Sequence, residues 1–311
     1  MPKDDMNLPE VVYHYTSMDT LTKIVANHGQ LWGTSIKYLN DVSERDYFIK
    51  MVKDRVPEYL KIHGSTDEDV FESLLGTNHR VVLNDPVHQA FVTSFCGDPD
   101  SLPQWRSYCH AGNGVSIGFR VDCLKRAEQE VKQETSNNRS LRFSPMQYIK
   151  ESDFTTIDDA ISACKIMALD AANKSDGIVS PHPVSDYFYI LIEAWACTVK
   201  HPSFSQEKEY RLMTKGLSRT IDDLKYRACA STLIPYVIFN VPRWHSSVSK
   251  SEPNARDPLR GLMGRHEYID RVVVGPTPNM DLSVQAVQSF FETMNMYVEV
   301  VPSGVPYRDM R

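Results

Sequence analysis

The sequence predicts a single α+β domain over residues 1–311, with a β-sheet core that carries large helical insertions near 45–85 and 155–200. Three observations lead there. The chain opens with a strand, a short helix and a second strand. Helical stretches over Arg45 to Leu75, Ile157 to Asn173 and Asp186 to Lys200 separate its further strands. Finally, neither an internal repeat nor a convincing linker divides the chain.

Val11, Val12, Tyr13 and His14 have β character, and the polar pair Thr16 and Ser17 ends that strand and supplies a helix cap. Leu21, Ile24 and Val25 recur at helical spacing before Gly29 stops the helix, and Leu31 to Ser35 reads as the next strand. His14 thus lies at a strand end beside a helix N-terminus, where backbone N–H groups favour an anionic ligand.

From Arg45 to Leu75 the apolar stripe of Tyr47, Met51, Val52, Val56, Tyr59 and Leu60 predicts helix, interrupted by Pro57. Asp41 and Glu44 have capping-box spacing, and the same residues are open to a role at a ligand. A short helix is expected near His79 to Leu83. Ala90 to Cys96 reads as a strand, Ser101 to Tyr108 as a short helix with Trp105 and Tyr108 on one face, and Gly114 to Val121 as a strand after a Gly-Asn-Gly turn. The two aromatics suit either a stacking platform or the core. Residues 122 to 150 read as a charged helix, a polar loop and a strand ending near Tyr148. Ile157 to Asn173 and Asp186 to Lys200 read as helices, the second apolar on most of its circumference and hence central. Beyond them, helix is expected over Tyr226 to Leu233, strand over Ile234 to Val241, an exposed loop over residues 243 to 264, strand over Ile269 to Gly275, helix over Leu282 to Met294 and a last strand over Tyr297 to Val301.

Composition removes several functions. Hydrophobic residues at 41% and charged residues at 24% are ordinary globular values, which excludes global disorder. The net charge of -6 argues against indiscriminate nucleic-acid binding while leaving room for a local basic groove. No apolar run reaches the roughly 18 residues of a membrane span, and the N-terminus lacks a signal-peptide core, so the expected location is cytoplasmic, with no membrane partner. Six scattered cysteines without a CxxC pair predict reduced, mostly buried thiols and no metal site. Gly114-Val115-Ser116-Ile117-Gly118 fits GxSxG in letters, but Ser116 falls inside a strand where a nucleophile elbow needs a helix to follow.

The segment Phe204 to Met213 carries the most chemistry. Read as a strand, it puts Glu207, Glu209 and Arg211 on the side opposite Lys208 and Tyr210. Two carboxylates so close raise one another's pKa unless a cation or ligand lies between them. An edge strand with solvated charges or a Glu-Arg ladder is the alternative.

The strand end His14-Tyr15-Thr16, the strand Leu31 to Ser35, the helix start Leu39-Asn40-Asp41-Val42-Ser43-Glu44, the Trp105-x-x-Tyr108 helix, the Ile117-Gly118-Phe119 strand, Glu207-x-Glu209-Tyr210-Arg211 and the tail Val305-Pro306-Tyr307-Arg308 together resemble a widespread family of uncharacterised bacterial proteins. Behind that, the chain resembles the ADP-ribosyltransferase fold of the diphtheria-toxin and DNA-targeting toxin type. The resemblance implies a split β-sheet core, with NAD as substrate and a protein, DNA or RNA acceptor. It implies that His14 bonds a ribose, that Tyr15, Thr16, Ser35, Asn40 and Asp41 belong to the dinucleotide site, and that Tyr38, Tyr47, Trp105 or Tyr108 stacks on nicotinamide. Arg106 would neutralise the pyrophosphate, Glu209 would stabilise the developing positive charge, and Glu207 would position the acceptor. It further implies a bacterial toxin or anti-phage effector with an antitoxin or sensor partner. An NAD glycohydrolase and a non-catalytic module that binds NAD or ADP-ribose are the other two readings.

Overall fold

The computed structural model describes residues 8–39, 42–63, 69–71, 90–109, 113–133, 140–174, 183–215, 224–229, 231–242 and 268–306. The expected helix near His79, the loop over 243–264, Asn40, Asp41, Tyr307 and Arg308 lie outside them.

The opening folds as its residues suggest. Strand β1 (Val11–Ser17) ends where Ser17 Oγ accepts the Thr20 amide at 3.2 Å, capping α1 (Met18–Ala26). Gly29, at φ 86°, closes that helix by donating its N–H to the Ile24 carbonyl at 2.9 Å, and β2 (Gln30–Ser35) follows. After a 3-10 turn (Ile36–Tyr38) comes α2 (Val42–His63), which contains Pro57.

Next come β3 (Phe91–Cys96), the short helix α3 (Leu102–Tyr108), β4 (Gly114–Arg120), α4 (Val121–Gln133), β5 (Ser140–Pro145) and β6 (Gln147–Tyr148). Helices α5 (Phe154–Asn173) and α6 (Pro183–Ala196) precede β7 (Val199–Lys200), a second 3-10 turn (Pro202–Glu207) and β8 (Glu209–Lys215). The chain continues through β9 (Lys225–Cys229), β10 (Thr232–Asn240), β11 (Ile269–Val274), α7 (Met280–Thr293) and β12 (Glu299–Pro302). This is a mixed α+β fold. Among the described residues no helix is long and apolar enough to cross a membrane.

One prediction fails here. Tyr226 to Leu233, expected as helix, is the β9–β10 hairpin, with Cys229 paired to Thr232 and Arg227 to Ile234. Cross-strand pairing overrides the helical preference of an eight-residue stretch that has no apolar helical face to bury.

The main sheet runs β12-β11-β4-β1-β3-β2-β10-β9, and β8 pairs with both β3 and β5. Among the described residues only β11 and β12 are parallel within it. Its first face is dry. Val12, Leu31, Phe91, Phe95, Ile117, Phe119, Phe143, Leu212 and Phe239 pack there against Leu21, Ile24, Leu124 and Phe291. Helices α2, α5 and α6 have their own core, in which Phe48, Val52 and Val56 of α2 meet Ile161 and Cys164 of α5 and Phe188 and Ile192 of α6. Arg55 grips Asp158 through two hydrogen bonds of 2.7 and 2.6 Å, fixing α2 to α5.

Strand β3 is where the sheet parts. Along one edge it pairs continuously with β8, from Val92↔Met213 to Cys96↔Glu209. Its other edge is shared: β2 takes Phe91 and Val92, β1 takes Cys96, and Thr93, Ser94 and Phe95 lie between the two.

Candidate functional site

A cleft of about 530 Å³ opens at that parting, lined by β1, α1, β2 and β3 on one side and by α3, β7, the second 3-10 turn and the start of β8 on the other. Into it come His14, Tyr15, Thr16, Tyr38, Tyr108, Glu207 and Glu209, residues named from sequence although nearly two hundred positions separate the first from the last.

His14 stands on the wall of the gap. Its Nδ1–H donates to the Ser94 carbonyl at 3.0 Å, satisfying one of the backbone groups left between β1 and β2. Burial pushes the imidazole pKa below 6.5, against the smaller opposing effect of that hydrogen bond. A neutral ring protonated at Nδ1 keeps Nε2 as an acceptor, the state suited to a ligand hydroxyl. Tyr15, two strands from Glu209, is anchored: its hydroxyl donates to the Asp98 carbonyl and accepts from the Ser101 amide, both at 2.7 Å, and burial raises its pKa.

The acidic wall differs from the strand expected for it. Glu207 closes the 3-10 turn begun by Pro202, Lys208 takes the left-handed conformation at φ 44°, and the strand starts only at Glu209. The two carboxylates therefore do not share a face through strand alternation. They converge on Lys200, whose Nζ donates to Glu207 Oε2 and, at 2.8 Å, to Glu209 Oε2. Arg211 Nε donates to the other oxygen, Glu209 Oε1, at 2.7 Å, and Arg211 Nη1 to the Cys197 carbonyl at 3.0 Å. The Glu209 amide donates to the Tyr148 hydroxyl at 3.0 Å. Burial alone would push the Glu209 carboxyl up, but the charges of Arg211 and Lys200 prevail and hold it at about 2. Glu209 is thus a fixed anion, suited to stabilising positive charge and unsuited to exchanging protons near neutrality.

Lys200 was missed from sequence. It is 5% exposed and reaches the site because α6 ends at Ala196 and the two-residue strand β7 pairs Lys200 beside Tyr148. The signal for it was the requirement of two close carboxylates for a cation, which pointed to a charge without saying which residue carried it.

The aromatic candidates divide. Tyr38 and Tyr108 are exposed on the cleft, and burial first, then the charge of Glu209, raises the Tyr108 pKa. Trp105 is 1% exposed, donates its indole N–H to Asp100 Oδ1 at 2.7 Å and meets Tyr15 edge-on at 4.6 Å, off the cleft. Asp100 also accepts from the Gly304 amide at 2.7 Å, so Trp105, β1 and the tail after β12 are tied together. Tyr47 lies on α2 and donates to the Ile149 carbonyl at 2.9 Å. Ser35 is buried at the end of β2, Arg106 is exposed on α3, and neither lines the cleft. Ser116 is buried within β4, opposite Tyr15, and α4 begins only after Arg120.

A family model described as "Protein of unknown function (DUF2971)" matches residues 104–212, the stretch from α3 into β8 that holds Tyr108, Lys200, Glu207, Glu209 and Arg211. Searches of curated proteins and of solved structures found no match.

Proposed function

We propose that this chain is an NAD-dependent ADP-ribosyltransferase acting as a bacterial toxin or anti-phage effector. The observation that supports the reading is the convergence of His14 and Thr16 with Glu209 and Glu207 across one cleft, at a parting of the sheet. His14 Nε2 accepts from a ribose hydroxyl, and Thr16 with neighbouring backbone groups orients the dinucleotide. Tyr108 or Tyr38 offers a face to nicotinamide. As the bond from nicotinamide to C1′ breaks, its electron pair leaves with nicotinamide and positive charge grows on the ribose, as in glycoside cleavage. The fixed anion of Glu209 stabilises that charge, an interaction stronger in the transition state than in the ground state. Glu207, less buried than Glu209, faces the side from which an acceptor attacks C1′ and loses its proton.

One observation favours a second reading, a module that holds the dinucleotide without turnover. Both oxygens of Glu209 are already engaged, by Arg211 and by Lys200. Calorimetry with NAD, followed by single-turnover release of nicotinamide, separates the two. Binding with release supports a transferase or, where free ADP-ribose forms without an acceptor, a glycohydrolase. Binding without release supports the module, and absence of binding overturns both.

A further inference from the structure

The cleft has a second polar end, away from Glu209. Residues paired in register share a sheet face, and the pairs Cys96↔Glu209, Ser94↔Arg211, Val92↔Met213, Thr34↔Val92, Tyr236↔Thr34, Ile238↔Trp32, Lys225↔Tyr236 and Arg227↔Ile234 carry one face from β8 through β3, β2 and β10 to β9. Trp32, Tyr236, Arg227 and Lys225 therefore stand on the same face as Glu209. Trp32 is separated from the Glu209 strand by two strand spacings, roughly 10 Å.

At that end Trp32 is 39% exposed and stacks on Tyr236 with ring centroids 4.4 Å apart. The Arg227 guanidinium lies 5.9 Å from the Trp32 ring and donates to Thr34 Oγ1 at 3.2 Å. Lys225 is exposed two residues away. In a chain of net charge -6, the three strands that build this end contain no carboxylate at all. β9 is the edge of the sheet and four of its five residues are exposed, so the strip continues past the rim of the cleft.

We infer that this strip seats a single-stranded nucleic acid, with a base on the Trp32–Tyr236 stack and phosphates at Arg227 and Lys225, and that this strand is the acceptor. The inference rests on the transferase reading above. An aromatic platform flanked by cations, on strands that carry no acids and open at one end among the described residues, suits a polymer of bases and phosphates. A globular protein acceptor would find there only a narrow ribbon. In the transfer, a base nitrogen or a hydroxyl of the strand forms a bond to C1′ as the bond to nicotinamide breaks. The electron pair leaves with nicotinamide, and the strand's proton passes to water.

The test is fluorescence anisotropy with end-labelled, mixed-sequence DNA and RNA dodecamers, alongside calorimetry with NAD alone. The wild-type protein is expected to bind a dodecamer, and Trp32→Ala to weaken that binding about tenfold or more. Arg227→Gln and Lys225→Gln, both on the edge strand, should each flatten the salt dependence by about one phosphate contact. No binding by the wild-type protein, or wild-type affinity in all three variants, overturns the inference. So does a Trp32→Ala variant that loses NAD affinity and keeps dodecamer affinity, because the stack then holds the adenine of the dinucleotide. Label from NAD that resists nuclease and yields to protease in a cell lysate also overturns it. A wild-type protein that binds the dodecamer but not NAD removes the transferase reading and leaves the strand seat standing.

Discussion

Lys200 donates to Glu209 at 2.8 Å with both side chains almost wholly buried. An ammonium at this depth is retained only because carboxylates compensate it. The pairing also fixes where Glu209 points, so the negative charge is in place before any substrate arrives.

Replacing that charge should be costly to chemistry. Glu209→Gln keeps the size of the side chain, and single-turnover nicotinamide release is expected to fall by about two to four orders of magnitude. Glu207→Gln should lose less or change the preferred acceptor. Lys208, exposed at the turn before β8, should tolerate Ala with nearly unchanged release. Wild-type release by Glu209→Gln would remove this carboxylate from the chemistry.

Removing a cation tests stability instead. Arg211→Met removes one of two cations from the buried Glu209 carboxylate and leaves Lys200 on its other oxygen, so the loss of the charged hydrogen bond should cost about 1.5–3 kcal/mol, readable as a lower urea midpoint. Because the Glu209 pKa is depressed to about 2, its stabilising contribution is complete above the ordinary carboxylate value of 4.5 and is lost as pH falls through about 2. The midpoint of the wild-type protein should therefore drop between pH 5 and 3, and that of Glu209→Gln should drop less.

His14→Ala is expected to leave the fold intact and weaken NAD binding by about 1 kcal/mol, roughly fivefold, in calorimetry. Since burial keeps the imidazole neutral, wild-type affinity should hold from pH 8 to 6.5 and decline only below that.

Gly33 is a packing requirement. A Cβ there would come within 2.3 Å of the Phe239 ring, which lies buried over it, so Gly33→Ala should cost about 1–3 kcal/mol in urea unfolding.

Thiol labelling checks the cysteine environment. Five of the six thiols are buried, and Cys229 on β9 is exposed. A water-soluble maleimide should modify Cys229 within minutes and the others only on unfolding. Rapid modification of Cys96 or Cys109 would contradict the closed packing beneath Tyr15.

Local grammar made much of this readable. Val11 to Ser35 announced its strand, helix and strand through β-branched residues, a serine cap and Gly29, and the apolar circumference of α6 announced its burial. Other features depend on distant partners. Nothing around Glu207 reveals that Pro202 starts a 3-10 turn and that Lys208 takes a left-handed conformation, so the strand was begun at Phe204, five residues too early. Trp105 looked equally fit for cleft or core, and Asp100 with the tail after β12 decided for the core. The Trp32 platform was hidden because its partners, Tyr236 and Arg227, lie about two hundred residues away, and the strand that carries Arg227 was read from sequence as helix.

Sheets normally keep their unpaired rim at the periphery, where bulges, charges or short strands guard it against other chains. Here a three-residue rim, Thr93 to Phe95, lies in the interior, because β1 and β2 each claim one end of the same side of β3. Neither strand can advance over it without displacing the other. Strand alternation turns Thr93 and Phe95 toward β8 and only Ser94 toward the gap, where its carbonyl already accepts from His14, so the Ser94 amide is the backbone group that a slender ligand can reach. Occupancy of the cleft should accordingly register as slowed hydrogen exchange at the Ser94 amide, well before any larger rearrangement of the molecule.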